Sequence, residues 1–225
     1  MESTRVMRAS GAAGMLAAVL ILGGVYLTIM GMSGTPAIDA DPGAWAAWAQ
    51  REEVAIEIGV YVLLVPGLLL FLCMFAALSR LLPADAISTR LAGYGALAFF
   101  VFFAAAGVLS STSASAFVFY NAFEDPTAVT VFTGLTAGYH LQFVGVWTLA
   151  MTMLATAVGL RYSAAISFRL YVATIVLAAL AVAASLIGFG IILCLVWMLA
   201  VGIGLLRWTP SPSAAMDPMA EAVPN

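Results

Sequence analysis

The sequence predicts an all-α protein, a polytopic transmembrane bundle of six helices with its amino and carboxyl termini in the cytoplasm. Of its 225 residues, 64% are hydrophobic and only 8% are charged, whereas a soluble domain carries roughly a quarter charged residues. Apolar stretches long enough to cross a bilayer recur along the chain. Arginines follow a pattern that is typical of the cytoplasmic ends of such stretches.

The predicted spans follow from the length that a helix needs, about 20 apolar residues for a hydrocarbon core about 30 Å thick. They cover residues 12–31, 56–79, 91–111, 133–160, 170–187 and 189–206. The last two come from one apolar block of 37 residues, Leu170 to Leu206. A single helix of that length would be about 55 Å long, enough for two spans. A turn is therefore expected near its middle, at Ser185, Gly188 and Gly190.

Arginine placement tests this number of spans independently, because basic residues favour the cytoplasmic side. With the amino terminus inside, the arginines predicted to lie inside are Arg5, Arg8, Arg80, Arg90, Arg161, Arg169 and Arg207. Only Arg51 falls outside. Five spans would place Arg207 outside, so the pattern supports the turn. The expected location is the plasma (cytoplasmic) membrane, and the lack of lysine beside abundant alanine is typical of a bacterial chain.

The flanks of the bundle are expected to be cytoplasmic. Residues 1–11 form a short amino-terminal segment, and residues 208–225, rich in proline and small polar residues, form a disordered tail. The alternative for the first span is a secretory signal, since Arg5 and Arg8 precede an apolar run. The run is longer than a usual signal and lacks a convincing cleavage site, which favours a retained span.

Ionisable residues reach the predicted spans at two places of similar depth. Glu57 lies 23 residues before Arg80, about 34 Å up its helix at 1.5 Å per residue. His140, the single histidine, lies 21 residues before Arg161, about 31 Å up. No ionisable acid or base lies between these positions and the inner arginines, which argues against a proton or ion relay.

A ligand site open to the outside can be built from Glu57, Tyr61, Tyr139, His140 and Gln142. Glu57 and Tyr61 share a helix face, as do Tyr139 and Gln142. A carboxylate near an imidazole could bind a cation or a proton, and histidine would make that binding pH-sensitive. The competing interpretation is that the outer aromatic residues, Trp45 and Trp48 among them, anchor helix ends at the interface while Glu57 and His140 face water.

No catalytic residue, metal or cofactor is predicted. One histidine cannot supply both axial ligands of a haem within one chain, and HxxxH, HExxH and CxxC spacings are absent. Cys73 and Cys194 lie about 10 Å and 20 Å above the inner face by rise per residue, too different for an easy disulfide. Both are expected to be buried, as small apolar residues.

Small and weakly polar residues predict how the helices pack. A stripe along one face of the fourth span consists of Gly145, Thr148, Thr152, Thr156 and Gly159. Such faces let helices approach closely, within the bundle or between copies of the chain. Pro66 and Gly67 predict a kink in the second span, because proline removes a backbone donor.

Two further segments carry open alternatives. The hexapeptides AISTRL (86–91) and AISFRL (165–170) match at five positions, which indicates either a duplicated two-helix hairpin or convergence on a good helix start. Residues 110–129 are expected to form an outer loop whose aromatic residues anchor it at the membrane surface or fold it over the outer site.

One family resemblance rests on layout. The outer segment WAAWAQREEVAIEIG, the run LLLFLCMFAALSRLLP and the turn into TRLAGYGALAFF resemble an uncharacterised family of six-span bacterial integral membrane proteins, a domain of unknown function. The resemblance covers about residues 10–207 and implies no activity and no binding residues.

The expected function is that of a non-enzymatic structural, regulatory or partner-binding membrane bundle. One alternative is a small-molecule permease or receptor with an outward-facing polar vestibule around Glu57 and His140. Another is a membrane-embedded enzyme acting on a lipid or isoprenoid. The expected partners are the lipid bilayer and a second copy or another membrane protein. A net charge of −3 gives no reason to expect nucleic acid.

Overall fold

The computed structural model describes residues 2–37, 39–84, 86–120 and 128–208, and this part of the chain is helical without strands. Its helices are α1 (Glu2–Met32), α2 (Pro42–Glu57), α3 (Val65–Ser79), α4 (Ile87–Tyr120), α5 (Ala128–Tyr162), α6 (Phe168–Ser185) and α7 (Gly190–Leu206). A π-helical segment, Ile58–Leu64, joins α2 to α3. The helices therefore form six rods, which confirms the predicted all-α class. The predicted tail after Trp208 lies outside the described residues.

The lengths and compositions of the rods fit a multi-pass membrane protein. Five helical stretches are long and apolar enough to cross a membrane: Thr4–Met32, Gly43–Ser79, Ile87–Ser113, Thr133–Tyr162 and Phe168–Ser185. The sixth rod, α7, is equally apolar and has 17 residues. At 1.5 Å per residue α7 is about 26 Å long, slightly less than the hydrocarbon core.

The break in the long apolar block lies where the sequence predicts it. α6 ends at Ser185 and α7 begins at Gly190. Gly188 has φ +82°, a left-handed conformation that glycine adopts without steric cost. The Phe189 amide donates to Ala184 and the Gly188 amide donates to Ser185, the pair of bonds of a Schellman helix end. The expected turn is confirmed.

The start of α1 and the end of α7 lie at the same end of the bundle, which we call the proximal end. α7 runs back along α1, and a Cβ on Gly11 would lie 2.6 Å from the Gly202 carbonyl oxygen. The Ser163 hydroxyl, after α5, donates to the Leu81 carbonyl in the α3–α4 link at this end. The opposite end, where α1 ends and α2 begins, is the distal end.

The arginines follow this division. Helix starts or ends at the proximal end carry Arg5, Arg8, Arg80, Arg90, Arg161, Arg169 and Arg207. Arg51, on α2, lies at the distal end and pairs with Glu52 at 2.6 Å. The seven arginines that the sequence predicts for the inner side therefore lie at one end of the fold.

The helices at the distal end are longer than predicted. α4 continues to Tyr120 and α5 begins at Ala128, so the expectation of a loop over residues 110–129 is wrong in the described part. The hydroxyls of Ser110 and Ser113 donate to carbonyls of their own helix, Ala106 and Leu109. Because these bonds are local, serines can remain inside a helix. Residues 121–127 lie outside the described part.

The second rod also begins earlier than predicted, at Pro42, with Asp41 capping the Gly43 amide. Trp45 and Trp48, expected among the outer aromatic residues, are instead fully buried between helices. Their indole N–H groups donate to Ala37 and Gly31 carbonyls at 3.2 Å and 3.0 Å. A buried indole needs such a partner, so these bonds fix α2 against the end of α1.

The predicted disturbance at Pro66 takes the form of the π-helical segment before it. Pro66 has no N–H group and cannot bond the carbonyl four residues earlier. The Val65 amide bonds Val60, five residues back. Gly67 then allows close approach to α1, because a Cβ there would lie 3.0 Å from the Ile21 backbone nitrogen.

The stripe on α5 packs within the bundle, against α4. A Cβ on Gly95 of α4 would lie 3.0 Å from the Thr148 carbonyl oxygen. Thr152 and Thr156 are buried, and the Thr152 hydroxyl donates to Thr148 at 2.9 Å. The intramolecular interpretation of the stripe is therefore confirmed.

The two AIS hexapeptides begin their helices differently. Ser167 is the N-cap of α6 and accepts from the Leu170 amide. The equivalent Ser88 lies inside the first turn of α4 and caps nothing among the described residues. The duplication of a hairpin stays a prediction.

Candidate ligand cavity

A cavity of about 490 Å³ lies in the distal half of the bundle. Three groups of residues line it: Val25, Ile29, Met32 and Ser33 at the end of α1; Phe103 on α4 with Tyr139, Gln142, Phe143 and Val146 on α5; and Ser185 with residues 187–191 at the α6–α7 tip. The cavity therefore lies between α1 and α5, above the tip of the last hairpin.

The cavity exists because the α6–α7 hairpin is short. Trp147 donates from its indole nitrogen to the Ser185 hydroxyl at 2.9 Å, which fixes the level of the tip against α5. Tyr139 lies eight residues nearer the distal end, about 12 Å higher along the helix. α1 and α5 thus continue above the tip, and nothing from the hairpin fills the space between them.

The tip is suited to hydrocarbon. Leu186, Ile187 and Phe189 are between 60% and 71% exposed, an apolar surface that water would not favour. The amides of residues 186–189 all donate to carbonyls of the same hairpin end. Satisfied backbone groups are the condition for non-helical backbone at membrane depth. These features are those of a tip that can lie in contact with hydrocarbon.

The floor of the cavity is closed by aromatic packing. Phe103 lines the cavity, and its ring centroid lies 4.7 Å from that of Phe99. Phe99 in turn meets Phe71 edge to face at 5.1 Å. Phe71 and Phe99 are fully buried. The described interior beneath Phe103 is therefore filled by side chains.

Neutral groups supply the polar part of the lining, namely Ser33, Tyr139, Gln142 and Ser185. Ser33 and Ser185 donate to carbonyls of their own helices, Met30 and Val182. The Tyr139 hydroxyl and the Gln142 amide make no hydrogen bond to any described residue, although Gln142 is half-buried. The lining includes no carboxylate, guanidinium or imidazole among the described residues.

Two of the five residues predicted for an outer site, Tyr139 and Gln142, lie together in this lining. His140 is exposed, with its ring 6.1 Å from Tyr139 and outside the lining. Glu57 is the half-buried last residue of α2, and Tyr61 is a half-exposed residue of the π-helical segment. Neither belongs to the lining. A cation or proton site at Glu57 and His140 stays a prediction.

The apolar lining and the tip were not predicted as site residues. One sequence signal could have indicated them. The block Leu170 to Leu206 holds 37 residues, so two helices and a turn leave fewer than 20 residues for each crossing. A hairpin of that length has little to spare for crossing the bilayer, and neighbouring helices that are longer leave a recess above its tip.

Metal-binding and thiol chemistry have little structural support in the described residues. No group of three or more His, Cys, Asp or Glu side chains comes together there. Cys73 is exposed on α3, Cys194 is buried on α7, and both are unpaired. Cys194 therefore packs as a small core residue, as predicted, whereas the expectation that Cys73 is buried is wrong.

Comparison with known proteins finds no matching family model, no matching curated protein and no matching solved structure. The resemblance to six-span bacterial membrane proteins stays a prediction. The functional argument must therefore come from the cavity itself.

Proposed function

We propose that this chain is a non-enzymatic multi-pass protein of the plasma membrane that binds an apolar membrane molecule in its distal cavity. The cavity is the observation that carries this function. Its volume of about 490 Å³ falls within the range of roughly 300–1,000 Å³ usual for small-molecule sites. Apolar walls with a few neutral polar groups are also typical of such sites.

The character of the lining favours binding over catalysis or transport. A general acid or base must lie within hydrogen-bond reach of its substrate, and the ionisable candidates Glu57 and His140 lie outside the lining. A permease needs a path through the bundle, whereas Phe99 and Phe71 fill the interior under Phe103. A recess whose floor is closed is better suited to holding a molecule than to passing it.

We further propose that the distal end faces outward and the proximal end faces the cytoplasm. The support is the positive-inside rule, since the arginines other than Arg51 gather at the proximal end. The cavity would then lie in the outer half of the bilayer. Cysteine labelling tests this orientation. A thiol reagent added from outside should label Gln50→Cys, which is exposed on α2, and should leave Ser163→Cys unlabelled.

Photolabelling tests the proposed function. Two probes share one long alkyl chain with a diazirine at its end, and they differ only in the head, an alcohol or its phosphate monoester. With the protein in nanodiscs, we expect at least one probe to label the peptides that carry Ile29 and Phe143. The labelled sites are read by mass spectrometry.

A matched pair of variants separates the cavity from the general lipid surface. Ile29→Trp adds a ring inside the cavity, whereas Leu22→Trp adds it two turns away on the same helix at similar exposure, 48% against 50%. We expect the first change to abolish cavity labelling and the second to leave it. Equal labelling of both variants would exclude the cavity as the binding site.

A further inference from the structure

We propose that the occupant is an uncharged lipid with an alcohol or carbonyl head, which enters sideways from the membrane and places that head at Tyr139 and Gln142. This inference rests on the proposed function and specifies its ligand. Long-chain alcohols, isoprenoid alcohols and diacylglycerols share this chemistry. Three observations carry it: the polar groups of the lining, the charges around the distal end, and the level of the α6–α7 tip.

The first observation concerns two polar groups of the lining, Tyr139 and Gln142, which can both form hydrogen bonds with a ligand. Gln142 offers one acceptor and two donors, and Tyr139 offers a hydroxyl that both donates and accepts. Neither group bonds to a described residue. Tyr139 is fixed by edge-to-face packing on Phe143, with ring centroids 4.6 Å apart. A ligand hydroxyl or carbonyl that bonds these groups inside the apolar cavity would therefore stabilise the complex.

The second observation is the charge around the distal end. Five carboxylates lie on α2 and the segment before it: Asp39, Asp41, Glu52, Glu53 and Glu57. The single guanidinium there, Arg51, already pairs with Glu52. An anionic head would meet no cation among the described lining residues, at an end of the bundle where carboxylates outnumber guanidinium groups. Burying an unpaired charge costs far more than burying an uncharged hydroxyl, so the site excludes phosphates and carboxylates.

The third observation is the route of entry. The tip lies at the level of Trp147, about 12 Å below Tyr139 along α5. The exposed side chains of Ile187 and Phe189 belong both to the lining and to the lipid-facing surface of the tip. An alkyl chain can therefore pass from lipid to cavity across a continuous apolar surface, without crossing water.

The test compares the alcohol probe with its phosphate monoester at equal concentration in nanodiscs of uncharged lipid. We expect the alcohol to label the cavity peptides at least about tenfold more, a difference equivalent to about 1.4 kcal/mol. Gln142→Leu should reduce alcohol labelling severalfold. Gln142→Lys should shift the preference towards the phosphate, because it places a cation in the lining.

Gln50 supplies the matched control, since it is exposed on α2 and lies outside the lining. Gln50→Leu should leave the amount of alcohol labelling unchanged. Gln50→Lys should leave the ratio of alcohol labelling to phosphate labelling unchanged. If Gln142→Lys does not fold, Gln142→Leu alone decides the role of the amide.

The outcomes separate the two proposals. Equal or stronger labelling by the phosphate in the unmodified protein overturns the preference for an uncharged head and leaves the apolar site standing. Unchanged alcohol labelling in Gln142→Leu overturns the position of the head. If neither probe labels cavity peptides while both label the lipid-facing side of α6, the proposed function itself is wrong.

Discussion

The close crossing of α1 and α7 makes one substitution especially informative. At Gly202 an added Cβ would lie 2.9 Å from the Gly11 carbonyl oxygen and 3.2 Å from the Met15 backbone nitrogen. Because both partners are backbone atoms, no side-chain rotation relieves the contact, and the helices must separate. Overpacking of this kind costs about 1–3 kcal/mol. Gly204, two residues later on the same helix, has nothing within 4 Å of its added Cβ.

The assay is thermal inactivation in detergent, measured as the fraction that remains monodisperse on size exclusion after heating. At about 2–4 °C per kcal/mol for a chain of this size, Gly202→Ala should lower the midpoint by about 2–12 °C. Gly204→Ala should match or exceed the unmodified protein, since alanine favours helix by up to about 1 kcal/mol. Heating rates must be identical, because irreversible unfolding depends on them. Equal midpoints for the two variants would refute the α1–α7 crossing.

The remaining predictions use the same assay. Gly188→Ala should destabilise the protein by about 1–2 kcal/mol through its left-handed backbone alone, because its Cβ would contact nothing; a neutral result would contradict the turn. Trp147→Phe and Ser185→Ala should each cost about 0.5–1.5 kcal/mol, and the double variant should cost less than their sum; strict additivity would mean that the 2.9 Å bond is absent. Trp48→Phe should cost about 1–3 kcal/mol, because it leaves the Gly31 carbonyl without its indole donor; full retention of stability would contradict that burial.

Much of the architecture could be predicted because it depends on local signals. The rods follow from apolar runs, and the turn at Gly188 follows from a block too long for one helix. The arginines could be assigned to one end because each lies beside its own span. Such inferences need only the sequence within about one helix length.

The cavity could not be predicted because it depends on which rods are neighbours and on their relative heights. Depth estimates placed Glu57 and His140 at one level but could not tell that neither would line the recess, whereas Tyr139, the neighbour of His140, does. They also assumed that all spans end at similar levels, whereas Ser185 at the α6–α7 tip bonds Trp147, eight residues along α5 from Tyr139. Nor did local periodicity show that Trp48 would turn inward to bond α1.

The most direct test of the cavity as a lipid site is a structure of the protein in nanodiscs made from extracted native membrane lipids. The account predicts elongated density between α1 and α5, with one end within hydrogen-bond distance of Tyr139 and Gln142 and the other beside Ile187. A cavity that is filled by ordered water, or closed by movement of the α6–α7 tip, would contradict it.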